Sequence, residues 1–124
     1  MVEELAFPVD ARGFVFEPLD APRIPGQQNV HVAVTQPRAI RGNHYHQHST
    51  EIAVVMGPAL VRVREGGKVR DIEVPHARAF RFTFVPGVSH AFQNTGTEPM
   101  LLVAFNTSVF NPAAPDVVRD ILIE

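Results

Sequence analysis

Two histidines, His44 and His46, lie two residues apart in the segment Gly42-Asn43-His44-Tyr45-His46-Gln47-His48-Ser49-Thr50-Glu51. On an extended strand side chains alternate, so His44 and His46 project to one side and can converge on one ion. Glu51 follows His44 at an odd offset and reaches that side only if the chain turns through residues 47–50, which the polar Ser49 and Thr50 permit. His90 follows the turn pair Pro86-Gly87 and would arrive from a different strand. Three imidazoles and one carboxylate suit a divalent transition metal (Zn, Mn, Fe, Ni or Cu) and suit Ca or Mg poorly. Four protein ligands still leave positions open on a five- or six-coordinate ion, so such a centre can be catalytic. Each residue also has a plainer role open to it. The three histidines could form a hydrogen-bonded polar patch without metal, Glu51 could pair with an arginine, and His48 is either a spare base or part of a solvated turn.

These side chains need strands to carry them, and the chain is written for strands. Eleven prolines and eight glycines are scattered from Pro8 to Pro115, so long helices are excluded. Between them run short segments of period-2 alternation, each expected to bury one face: residues 13–17, 30–35, 52–56, 61–64, 69–74 and 80–84, with the apolar run 100–105 beside them. Phe80, Phe82 and Phe84 share a face, and with Phe92 and Phe105 they are expected in the core rather than as a stacking platform. Met56-Gly57-Pro58, Glu65-Gly66-Gly67-Lys68, Pro86-Gly87 and Asn94-Thr95-Gly96-Thr97 read as turns. Short strands joined by such turns predict an all-β sandwich or barrel. Residues 20–28 carry no clear pattern, and residues 116–124 read as a terminal strand or one helical turn.

At 124 residues the chain is expected to form one domain, residues 1–124, around one core. A hydrophobic fraction of 45% with 19% charged residues is a globular balance, and it excludes a disordered chain or a coiled coil. The formal net charge of -2 leaves no basic excess for a phosphate backbone or an anionic membrane, so no nucleic-acid or membrane partner is expected. With no cysteine, any metal is held by nitrogen and oxygen. The acidic start Met1-Val2-Glu3-Glu4 is unlike a secretory leader, and a cytoplasmic address is expected. Arg41, Arg62, Arg64 and Arg81 could fork a diphosphate or simply line solvated strand faces; Arg41, adjoining the histidine segment, is the substrate-binding candidate. His31 and His76 are isolated and read as surface residues.

The two histidine segments resemble the paired motifs of the cupin superfamily: His44-x-His46-x4-Glu51-x5-Gly57 and Pro86-Gly87-x2-His90-x3-Asn94. Arg38 stands where the first motif usually opens with glycine, and Val85-Pro86-Gly87 where the second usually reads Pro-x-Gly. The resemblance implies a cupin-type β-barrel, the double-stranded β-helix or jelly roll, with His44, His46, Glu51 and His90 as metal ligands. More narrowly, Asp10-Ala11-Arg12-Gly13-Phe14, Arg41-Gly42-Asn43-His44-Tyr45-His46 and residues 106–116 resemble the C-terminal cupin domain of bifunctional capsular polysaccharide synthesis enzymes, and more distantly dTDP-sugar epimerases and isomerases. That likeness implies a carbohydrate-like ligand and a keto-sugar epimerised or isomerised through an enediolate. Metal-free relatives use the first motif's histidine as base, which falls on His44, and His48 is the spare. Their tyrosine acid has no counterpart on another strand, because the one tyrosine, Tyr45, has the opposite parity to His44. Small cupins commonly dimerise through a sheet edge, so a homodimer is expected. A metal-dependent oxygenase and a non-catalytic sugar-binding module are the alternatives.

Overall fold

The computed structural model describes residues 1–124 and consists of strands, turns and one short 3-10 turn at Ile24–Gly26. The strands are β1 (Val2–Leu5), β2 (Val9–Asp10), β3 (Gly13–Phe14), β4 (Asn29–Thr35), β5 (Ile40–His46), β6 (Glu51–Met56), β7 (Ala59–Glu65), β8 (Lys68–Val74), β9 (Ala79–Phe84), β10 (Ser89–Asn94), β11 (Met100–Asn106) and β12 (Val117–Arg119). Two five-stranded antiparallel sheets, ordered β1-β9-β6-β11-β4 and β12-β5-β10-β7-β8, face each other as a jelly roll. No helix is long and apolar enough to cross a membrane.

Alternating side chains from both sheets fill the space between them. Ala53, Val55, Phe82 and Phe84 from the first sheet meet Val61, Val63 and Phe92 from the second, with Phe80 packed against them. Phe105 joins a smaller cluster of Leu19, Ile52 and Val54 beneath the N-terminal segment, where Leu5 and Phe16 cover it. β6 is therefore buried on both faces, which is why its apolar run is unbroken. The 94–97 turn is held by Asn94, which donates to Thr35 O and Glu98 O and accepts from Gly96 N.

Two elements depart from the sequence pattern. The strand expected over residues 13–17 shrinks to Gly13–Phe14, because Phe7, Phe14 and Phe16 gather into their own aromatic cluster. β4 turns its apolar face outward: Val30, Val32 and Val34 are more than half exposed, whereas Ala33 and Thr35 pack inward. The pairing with β11 sets this register, since His31 lies opposite the fully buried Ala104, and directly opposed residues share a face.

The fold places its histidines by a bulge. His44 pairs with His90 and Arg41 with Phe92, three residues on β5 against two on β10, and the surplus residue is taken up at Gly42-Asn43. Gly42 has φ +84°, and a Cβ there would stand 2.7 Å from the main-chain oxygen of His90. Asn43, at φ 57°, accepts from the backbone N–H groups of Leu122 and Ile123 and donates to Ile123 O. Gly42→Ala is expected to cost about 1–3 kcal/mol, the size of a left-handed conformation forced on a residue with a side chain. Urea unfolding of the metal-free protein checks this, and unchanged stability would show that β10 gives way without cost.

Candidate metal centre

His44 and His46 from β5, His90 from β10 and Glu51 at the start of β6 meet at one end of the barrel. Each offers one ligand atom, and these atoms all lie within 4.8 Å of one another. The three imidazoles come from one sheet and the carboxylate from the other, so the cluster spans the interior. The turn over residues 47–50 carries Glu51 beneath His46, whose Nε2 lies 2.8 Å from Glu51 Oε2. His90 Nε2 lies 3.4 Å from Glu51 Oε1. Glu51 faces histidines here rather than an arginine.

The ring of His90 is fully buried and stacks on Phe84 with centroids 4.0 Å apart. Its Nδ1 lies 3.1 Å from Val88 O, an acceptor that holds the proton on that nitrogen. Nε2 is thereby left with its lone pair inward and no hydrogen-bond partner. An orphaned buried nitrogen beside a carboxylate and two further imidazoles fits a divalent transition ion. Burial, with the His90 imidazole close by, lowers the His44 pKa from 6.5 to about 4, so at neutral pH its imidazole is uncharged, as a ligand requires. Burial raises the Glu51 pKa, but the hydrogen bond to His46 and the neighbouring His90 imidazole outweigh it and hold the carboxyl well below its usual range. Burial likewise lowers His46, and the carboxylates of Glu51 and Asp116 more than reverse it.

Asp116 ends the segment 106–116 that carries the family resemblance, but its role emerges only from the fold. Its carboxylate lies 3.4 Å from His46 Nδ1 and accepts from His48 N, Ser49 N and Ser49 Oγ. It thus ties the turn between two cluster strands to the start of β12, which pairs with β5. A carboxylate on the second nitrogen of a metal-binding histidine fixes its tautomer and orientation.

A cavity of about 490 Å³ opens over the cluster. His44, His46 and Glu51 line its floor, Asn29, His31 and Asn106 one wall, and residues 108–111 with 114–117 its cover. His48 is exposed on the outer side of its turn and does not line the cavity, because the turn that delivers Glu51 inward leaves His48 facing solvent. Arg41 does not line it either: its guanidinium crosses to the other sheet and donates to Thr35 Oγ1 and Val34 O. Arg62, Arg64 and Arg81 are engaged by Asp71, Asp120 and Glu3. His31, read from sequence as a surface residue, does line the cavity, with its Nδ1 3.0 Å from Asn29 Oδ1.

A family model described as the polysaccharide biosynthesis C-terminal domain matches residues 8–118. No curated protein sequence matches significantly. Among solved structures, the capsular polysaccharide assembling protein CapF from Staphylococcus aureus is similar at a TM-score of 0.71 and 23% identity, over 97% of this chain and 33% of its own. This chain therefore spans a third of that protein's length. ChmJ, a 3'-monoepimerase from Streptomyces bikiniensis solved with dTDP-quinovose, is similar at a TM-score of 0.70 and 25% identity, over 90% of this chain and 65% of its own. QdtA, a sugar 3,4-ketoisomerase from Thermoanaerobacterium thermosaccharolyticum solved with TDP, is similar at a TM-score of 0.69 and 14% identity, over 97% and 87%.

Proposed function

The chain belongs to the polysaccharide biosynthesis C-terminal domain family, with a cupin-type fold, and from that premise we propose that it isomerises or epimerises a nucleotide-linked keto-sugar at a metal centre. His44, His46, Glu51 and His90 hold the ion in this reading. The observation that carries it is the unpartnered, fully buried Nε2 of His90 facing Glu51, whose carboxylate in turn lines the floor of an open cavity. When bound, such an ion polarises a carbonyl oxygen and stabilises the negative charge that grows on it.

The remaining residues define what the cavity accepts. No lysine or arginine lines it, so the diphosphate of a nucleotide-linked ligand stays outside and the sugar ring enters. Asn106 accepts from Ser108 N through Oδ1, leaving its amide N–H groups for ligand hydroxyls. A second copy of the chain is the proposed partner: β4 is an edge strand, and its exposed Val30, Val32 and Val34 adjoin the exposed Leu101. The test is incubation of the metal-loaded protein with dTDP-linked ketohexoses in D2O, followed by mass spectrometry of the sugar. Incorporation of deuterium that stops on chelation is expected. A metal-loaded protein that binds these sugars without exchange would instead be a binding module.

A further inference from the structure

We infer that His31 is the residue that moves the proton, and that it favours isomerisation over epimerisation; this rests on the keto-sugar reading above. Loss of a proton from a carbon next to a carbonyl needs a base with a free lone pair aimed at the ligand. The imidazoles of His44, His46 and His90 converge on the ion site, and a coordinated nitrogen has no lone pair to offer. His48 faces solvent outside the cavity. Asp116 is occupied by Ser49, His48 N and His46. Tyr45 does not line the cavity.

His31 meets the requirement. It sits on β4, in the sheet that supplies Glu51, and the ladder gives its place. Glu51 pairs with Asn106 and Asn106 with Asn29, while Ala53 pairs with Ala104 and Ala104 with His31. His31 thus stands two strands from β6, about 10 Å across the sheet, with the cavity between it and the cluster. Asn29 Oδ1 accepts from its Nδ1, which keeps the proton there and leaves Nε2 as the basic nitrogen, with no protein partner. Nε2 is therefore the free basic nitrogen of an exposed ring that lines the cavity, with Asn29 holding the other nitrogen.

One base on one wall also selects the outcome. His31 Nε2 takes the proton from the carbon beside the carbonyl, the C–H electron pair forms the carbon–carbon double bond, and the carbonyl π pair moves onto oxygen to give the enediolate. The neighbouring hydroxyl proton passes to that oxygen. The charge left behind closes a new carbonyl, and the former carbonyl carbon takes a proton from His31 after that nitrogen has exchanged its proton with solvent, which reaches it through the open mouth of the cavity. Hydrogen moves from one carbon to its neighbour on a single face, which is isomerisation. Inversion would need a second acid on the opposite face, and no other free titratable side chain lines the cavity.

The experiment compares wild type, His31→Gln and His31→Ala, each with metal content measured, in D2O with dTDP-linked ketohexoses. Wild type should yield the isomer with deuterium on the adjacent carbon. Both variants should keep metal and sugar affinity while exchange falls about 10²–10⁴-fold. Added imidazole should restore part of the rate to His31→Ala and none to His31→Gln, a rescue that a merely structural role would not show. Exchange at the wild-type rate in both variants overturns the assignment of His31 and leaves the keto-sugar reading standing. Metal-loaded wild type that neither isomerises the sugar nor exchanges deuterium overturns both.

Discussion

His90→Leu is expected to lose tight metal binding while its metal-free form is at least as stable as the wild type. In the metal-free protein the Nε2 of His90 is fully buried without a hydrogen bond, a situation that costs about 1–3 kcal/mol. Leucine fills much of the same space against Phe84 and Phe92 and removes that polar group. His90→Ala removes the nitrogen and also leaves a hole, so it should lose the metal and about 2–5 kcal/mol of stability. Loss of an outer-shell partner alone lowers metal affinity about 10–100-fold, and loss of a ligand should exceed that. Competition of zinc against a chromophoric chelator, with urea unfolding of the chelated proteins, separates the two effects. An alanine variant that still holds one tight equivalent of metal would remove His90 from the centre.

Zinc in hundredfold excess over its dissociation constant should stabilise the wild-type chain by about 2.7 kcal/mol, because the folded state presents the four ligands together and the unfolded chain does not. For a domain of this size that corresponds to a rise of about 10 °C in melting temperature. Chelator should reverse it, and His90→Leu should show almost none. The shift should shrink as pH falls, because protons compete with the metal for imidazole nitrogen. A melting temperature indifferent to zinc would leave the cluster as a hydrogen-bonded patch.

The clustering of the four side chains was legible where it follows the chain. The two-residue spacing of His44 and His46 marks a shared strand face, and the polar turn before Glu51 marks a reversal. Their partner His90 was legible as a histidine delivered by a Pro-Gly turn. The remaining site residues depend on pairings between distant segments. Asp116 reaches His46 because β12 lies against β5, and nothing in residues 111–117 announces that contact. His31 is exposed, as read, but its place at the cavity was not legible for a definite reason: its strand alternates valine with polar residues, and burial of the valines is the ordinary solution. Here β4 lies at the edge with the valines outward, so the polar row faces the cavity. The bulge at Gly42-Asn43 was equally hidden, and it puts Arg41, three residues from His44, opposite the core residue Phe92.

The covering span of residues 108–117 also sets an order of events in time. A chain made from its N-terminus has produced all four cluster residues once His90 has emerged, and β5, β7 and β10 can then assemble. Asp116, the cover and β12 come afterwards. An ion that arrives during synthesis meets the cluster before residues 108–117 border it, whereas one that arrives after release enters by the mouth that the finished cavity leaves open. Metal supplied during expression therefore meets a cluster with fewer neighbours than metal offered to the purified protein, and comparing the ion acquired by the two routes would show whether the last segment contributes to the choice.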